Sequence, residues 1–186
     1  MANLNFIGIC GSLRRASRNM GLLRKASETM PEGASLRIAD ISALPFYNAD
    51  IEKPDSVREL VELGDAADGW VFACPEYNYS LAPALKNAID WLSREPGIRP
   101  FYGKPGAILG AGGMMGTCRA QNHLRQVCVY LNMHLVEKPE LFANAFSDAF
   151  NATGDVVGDD LTRRVSELMQ ALADWTLVLK AGAVRK

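Results

Sequence analysis

The sequence predicts a doubly wound α/β domain, in which a five-stranded parallel sheet ordered 2-1-3-4-5 lies between two layers of helices. Three observations predict it. Short apolar runs alternate with helix-period segments along the chain, a βαβαβαβαβα pattern that implies parallel strands with helices on both faces. One run, WVFAC (70–74), is apolar without a break, as a strand buried on both faces must be. Turn-forming residues separate the segments.

The elements follow in order. LNFIGIC (4–10) reads as the first strand. Residues 17–30 read as a helix, with Leu23, Ala26 and Met30 on one face. SLRIAD (35–40) alternates like a second strand, and a helix runs from about Ser56 to Leu63. WVFAC is the third strand. Pro83 suits a first helical turn, and Leu85, Ile89 and Leu92 carry that helix to about Ser93. PGAILGA (105–111) is a fourth, weaker strand, followed by a helix over 117–131 striped by Leu124, Val127 and Leu131. HLVEKPELF (134–142) holds a short fifth strand and an irregular connection. The stretch 137–160, rich in Asn, Asp and Gly, is expected to be the most mobile. Leu161, Val165, Leu168, Leu172, Trp175 and Leu179 then stripe a long final helix, which can pack on the sheet or on a neighbouring subunit.

The 186 residues, 48% hydrophobic and 22% charged, fit one domain spanning 1–186. Twenty Lys+Arg against 21 Asp+Glu leave a net charge of −1, which supplies no field for nucleic acid or an anionic membrane. No apolar stretch is long enough to span a bilayer, and no basic segment precedes the first apolar run. A cytoplasmic location is expected. Cys10, Cys74, Cys118 and Cys128 form no C-x-x-C pair, and the two histidines lack zinc-finger spacing, so no metal site is expected. The cysteines read as reduced core thiols, with redox activity left open for Cys10 and Cys74, which end neighbouring strands.

In an open α/β sheet, ligands bind beyond the carboxyl ends of the strands, where the strand order reverses. The loops after strands one and three flank that crevice. The first is GSLRRASRN (11–19). It offers unpaired backbone N–H groups and a helix N-terminus to an anion. Ser12, Ser17 and Asn19 add donors, and Arg14 or Arg18 adds charge-assisted hydrogen bonds. Such a donor set suits a terminal phosphate. A bridging pyrophosphate calls for G-x-G-x-x-G, and here Leu13 and Ala16 stand where glycines would be needed. Taken alone, the loop also reads as a helix cap at Ser17 with solvated arginines.

The second loop, CPEYNYS (74–80), brings Tyr77 and Tyr79 to the crevice with Glu76 and Asn78. Pro75 biases Cys74 toward an extended conformation. A planar heterocycle with polar edges matches this loop, and one ring system plus one phosphate points to a mononucleotide, FMN in particular. A third loop, GAGGMMGT (110–117), lets backbone approach a ligand closely, with Met114 and Met115 offering an apolar face.

The combination of GSLRRASRN, PEYNYS and LKNAIDWLSR resembles the NADPH-dependent FMN reductase family, especially its bacterial chromate and quinone reductases. GKP (103–105) and HLRQ (123–126) also look familial, and the likeness runs from the first strand to about Leu141. It implies a flavodoxin-like three-layer sandwich that binds FMN and forms a homodimer or homotetramer. Ser12, Arg14, Ser17 and Asn19 match phosphate-binding positions. Pro75, Glu76, Tyr77 and Asn78 match the loop along the flavin ring, and Gly112 and Gly113 the region on its far side. Leu13, Arg18 and Tyr79 complete the expected cofactor-binding set. Arg119 and Glu140 match positions that join subunits in some relatives, with Asn122 where a tyrosine often accompanies them.

The implied activity is reduction of quinones, chromate or similar small-molecule acceptors at the expense of NADH or NADPH. Flavin N5 carries the chemistry, no side chain is catalytic, and a shared site implies ping-pong kinetics. His123 and His134 are expected to be structural or surface residues, and Arg99 or Arg119 can attract an oxyanion acceptor. The competing reading is an electron carrier with no substrate of its own.

Overall fold

The computed structural model describes residues 3–183. Its strands are β1 (Leu4–Cys10), β2 (Ala34–Ala39), β3 (Gly69–Ala73), β4 (Glu76–Tyr77), β5 (Ser80–Leu81), β6 (Pro105–Gly112), β7 (His134–Leu135) and β8 (Leu141–Asn144). The helices are α1 (Arg18–Glu28), α2 (Asp55–Ala66), α3 (Pro83–Leu92), α4 (Cys118–Tyr130) and α5 (Asp159–Ala183). The main sheet runs β2-β1-β3-β6-β7, with β8 also paired to β6, and every pairing in it is parallel. This is the flavodoxin-like order expected from the sequence.

Side-chain alternation along the strands builds one core on each face. Phe6, Val71, Ala107 and Leu109 meet Leu22, Leu23 and Ala26 of α1 and Val165, Leu168 and Leu172 of α5. Ile7, Ile9, Trp70, Phe72 and Ile108 meet α2, α3 and α4 through Val57, Leu60, Leu85, Ile89 and Leu124. The final helix therefore spends its stripe on the sheet of its own chain. Leu177 and Val178, off that stripe, are exposed, while Leu179 on it is half-buried and Lys180 pairs with Asp68 beside the start of β3.

The structure differs from the sequence reading in two places. The fifth strand is split: β7 pairs with Pro105 and Gly106 at the start of β6, and β8 pairs with Leu109 through Gly112 at its end. Pro139 lies between the two pieces, and a residue without an N–H cannot continue a ladder. The loop after β3 is also ordered, as the hairpin β4–β5. The LKNAIDW segment has a structural use. Asn87 Nδ2 and Trp91 Nε1 both donate to the Pro45 carbonyl, and Asn87 Oδ1 accepts from Tyr47 N–H, which pins the long loop before α2.

All four cysteines are free. Cys10 packs on the α1–α5 face and Cys74 on the opposite one, so the sheet lies between the two thiols. Burial pushes the Cys74 and Cys128 thiols up to about 12, and raises Cys10 as well. A raised thiol pKa keeps the unreactive protonated form throughout the physiological range. Iodoacetamide at pH 8 should therefore reach only the part-exposed Cys118 in the native protein, and all four cysteines in denaturant. Mass spectrometry reads the count, and early native labelling of Cys10 or Cys74 would contradict it.

Close packing at one glycine holds the first ligand loop. A Cβ at Gly21 would lie 1.8 Å from the Gly154 carbonyl oxygen, in a turn whose Gly154 has φ +87° and packs on Ala16 and Ser17. Gly21→Ala must displace that turn, an overpacking expected to cost about 1–3 kcal/mol and roughly 3–10 °C in Tm. Calorimetry of the purified variant checks it; an unchanged Tm would contradict this packing.

Candidate functional site

A cleft of about 230 Å3 opens at the carboxyl edge of β1, β3 and β6, where the strand order reverses. Three chain segments wall it: the β1–α1 loop, the β3–α3 connection, and the end of β6 together with the turn after β8.

The β1–α1 loop is held at both ends. Gly11 N–H donates to Ala73 O at 2.9 Å, and a Cβ on Gly11 would meet Pro75 Cδ at 2.8 Å, so only glycine lets the first loop lie this close to the second. At the far end Ser17 caps α1, accepting from Met20 N–H at 3.2 Å, and Gly21 N–H donates to Ser17 O at 2.9 Å. Between these bonds, the backbone N–H groups of residues 12–16, 18 and 19 have no partner among the described residues. Ser12 and Ser17 are buried at the cleft. Arg18 lines it with a buried Nε that has no hydrogen-bond partner. Orphaned donors beside a helix N-terminus, with Arg14 on the same wall, form a site that is incomplete without an anion or water. The cap reading of Ser17 is correct, and it does not compete with the anion reading. The capping bond uses a lone pair of the hydroxyl and leaves its proton free to donate.

The β3–α3 connection is a two-residue β-hairpin. Asn78 (φ 49°) and Tyr79 (φ 66°) form the turn between Glu76↔Leu81 and Tyr77↔Ser80, with both turn residues in the left-handed region. Glu76 anchors it. The carboxylate accepts from the backbone N–H groups of Arg119 (3.1 Å) and Ala120 (3.2 Å) and from Arg119 Nε (2.7 Å). It thereby caps α4, whose own N-cap residue Thr117 supplies no side-chain bond. Glu76 in turn holds Arg119 so that its guanidinium lies 3.8 Å from the Tyr79 ring centroid. The bond to Glu76 keeps the Arg119 guanidinium firmly protonated. Ser80 Oγ lies 3.0 Å from His123 Nδ1 on the exposed face of α4, a surface position of the kind expected for that histidine.

The third wall is backbone. Gly112 and Gly113 face the cleft, and Gly116 (φ +58°) closes the turn through its N–H to Gly113 O at 2.8 Å. Met114 and Met115 project from its tip into solvent. Ala145 N–H donates to Gly112 O at 2.7 Å, which seats Ala145 and Phe146 on the cleft.

Of the residues singled out in the sequence, Ser12, Arg14, Ser17, Arg18, Asn19, Pro75, Glu76, Tyr77, Gly112 and Gly113 all line this one cleft. Leu13, Asn78 and Tyr79 do not: Leu13 projects outward, and the other two form the hairpin turn. Ala111, Ala145 and Phe146 line it as well. No apolar pattern marks the last two, which sit just past β8 in the stretch 137–160 expected to be the most mobile. Glu140 pairs with Lys138 at 2.6 Å, and Arg119 with Glu76. Among the described residues no group of His, Cys, Asp and Glu is placed to hold a metal ion, and no helix is long and apolar enough to cross a membrane.

The comparisons agree with this geometry. Residues 4–148 match the family described as NADPH-dependent FMN reductase. A Pseudomonas aeruginosa protein named NAD(P)H-dependent FMN reductase is 45% identical over 182 residues, covering 96% of this chain and 98% of that one. The NAD(P)H:quinone oxidoreductase of Solanum tuberosum is 41% identical over 182 residues, covering 93% of each. Among solved structures, the flavoenzyme NAD(P)H:(acceptor) oxidoreductase FerB of Paracoccus denitrificans superposes with a TM-score of 0.84 at 28% identity, covering 93% of this chain and 97% of that one. With the fold, the family match and near full-length relatives in agreement, the chain belongs to the NADPH-dependent FMN reductase family.

Proposed function

We propose that this chain is an NAD(P)H-dependent oxidoreductase that binds FMN in the cleft and reduces quinones. The observation that carries the reading is the run of unpaired donors between β1 and α1, in one cleft with the hairpin and the glycine turn. A flavin phosphate monoester carries between one and two negative charges at neutral pH, a load matched by several N–H groups, two hydroxyls and two guanidiniums. Ser12, Ser17, Arg14 and Arg18 would hold it by side chain, and Leu13 and Asn19 by their free backbone N–H groups. Pro75 and Tyr77 would pack against the ring. Glu76, Asn78 and Tyr79 would serve it through the backbone of a hairpin that the Glu76–Arg119 pair keeps in place. Gly112 and Gly113 would border its other side.

When bound, FMN supplies a two-electron store, filled by NADH or NADPH and emptied by the acceptor. The protein binds and orients, and no side chain in the cleft is required to move a proton. The rim residues Tyr77, Met114, Met115 and Phe146 are exposed and largely apolar, which suits planar acceptors and imposes little shape selection. One open cleft then serves donor and acceptor in turn, the basis for ping-pong kinetics. Chromate as a further acceptor and assembly into a homodimer or homotetramer belong to the same reading and rest on the family resemblance, and a cytoplasmic location rests on the sequence pattern of the first residues. A carrier without its own substrate is disfavoured, because the relatives described above are named as reductases and oxidoreductases.

Two measurements test the reading. Initial rates with NADH and a benzoquinone varied together should give parallel double-reciprocal lines, and intersecting lines would contradict a shared cleft. Arg14→Ala removes an exposed guanidinium that has no partner among the described residues. It should weaken FMN about tenfold or more while changing apoprotein stability by less than about 0.5 kcal/mol. Equal loss of binding and stability would count against the phosphate seat.

A further inference from the structure

Asn19 stands apart from the other residues of its loop, because its side chain is already occupied. The carboxamide Nδ2 donates to Ala111 O at 2.9 Å, and Oδ1 accepts from Ala111 N–H at 2.9 Å. The side chain is buried, and the bonds span 92 positions of sequence.

The topology explains why Ala111 needs these bonds. Along β6, Gly112 directs its carbonyl to the β8 side, where Ala145 N–H meets it, and Leu109 directs its carbonyl to the β3 side, where Cys74 N–H meets it at 2.8 Å. Backbone groups alternate sides along a strand, so Ala111 faces the β3 side. But β3 has already ended at Ala73, and its chain has turned away to open the cleft. Ala111 would be left with both its donor and its acceptor unpaired on an open, buried strand edge. One carboxamide, with a donor and an acceptor side by side, replaces the missing strand residue.

We propose that Asn19 is a positioning residue that ties the ring-side wall of the cleft, at Ala111 and Gly112, to the first turn of α1, and that its side chain is not a phosphate ligand. This rests on the FMN reading above. Two reciprocal hydrogen bonds constrain both distance and tilt. They couple the first turn of α1 to Ala111, and through Gly112 O to Ala145 and the Phe146 rim. Meanwhile the Asn19 backbone N–H, at the second position of α1, stays free for an anion.

Comparison of FMN with riboflavin, which lacks the phosphate, separates the two roles. Apoprotein is titrated with each flavin, following quenching of flavin fluorescence, for the wild type, Asn19→Ala, Asn19→Asp and, as a phosphate-seat control, Arg14→Ala. A wall-holding role predicts that Asn19→Ala weakens both flavins by a similar factor, about tenfold, with the FMN-to-riboflavin preference kept within about twofold. The absorption band of saturating riboflavin should also shift from its wild-type position, a signature that Arg14→Ala should not share. Asn19→Asp keeps the acceptor for Ala111 N–H but sets a second oxygen against Ala111 O, so its riboflavin affinity should fall below wild type. If the alanine variant does not fold, a riboflavin affinity of Asn19→Asp below wild type carries the same conclusion. Loss of FMN binding with riboflavin binding unchanged in Asn19→Ala would make the carboxamide a phosphate ligand and overturn the proposal; the same pattern in Asn19→Asp is expected from charge repulsion alone, so that variant is read through riboflavin. Unchanged affinity for both flavins would overturn it too. A wild type that holds riboflavin as tightly as FMN would instead refute the phosphate seat, and the riboflavin data would still decide the role of Asn19.

Discussion

The donors left unpaired between β1 and α1 are the constraint around which the site is arranged. A buried backbone N–H without a partner costs about 1–3 kcal/mol, so a chain segment with this many can persist only where it opens onto water or an anion. The parallel sheet makes such a place available. Its strand order reverses between β1 and β3, the two connections leave in different directions, and a crevice remains at their carboxyl ends. Gly11 lets the first loop approach Pro75, and the Gly21–Gly154 contact braces its far end. The loop is thus kept open by close packing on both flanks.

The other walls show the same division between a firm base and an open rim. Glu76 spends its charge on α4 and Arg119, and the hairpin it begins is tied to that helix by both backbone and side-chain bonds. The Gly112–Gly116 turn is locked to the β8 segment through Ala145. What remains mobile in principle is the fringe of Tyr77, Met114, Met115 and Phe146 side chains, which face solvent. A cofactor site wants rigid walls, since every group ordered on binding subtracts from affinity. A site that must admit a nicotinamide and then an unrelated acceptor wants an unselective mouth. The two demands fall on different residues here.

Much of this was legible in the sequence, because strand interiors and strand-end loops leave local signals. WVFAC announces a central strand, and GSLRRASRN announces donors where a parallel sheet needs them. What escaped depends on contacts distant in sequence. Asn19 reads as one more donor in a donor-rich loop, and only the end of β3 at Ala73 shows why it must pair with Ala111. The hairpin at 76–81 carries Asn-Tyr where a two-residue turn ordinarily signals itself with Asn-Gly, and an aromatic at positive φ is rare enough to be overlooked. Phe146 lies after a four-residue strand whose alternation is too short to read, and the Asn, Asp and Gly around it signal a mobile stretch, not a cleft wall.

The central claim is that backbone N–H groups of the β1–α1 loop seat the phosphate of a flavin mononucleotide. Amide NMR of the isotope-labelled apoprotein, recorded before and after one equivalent of FMN, tests it most directly. The claim predicts that amides within residues 12–19 move downfield together and become protected from solvent exchange, while Met20 and Gly21, already bonded, change little. FMN binding that leaves the 12–19 amides unshifted and freely exchanging would contradict it.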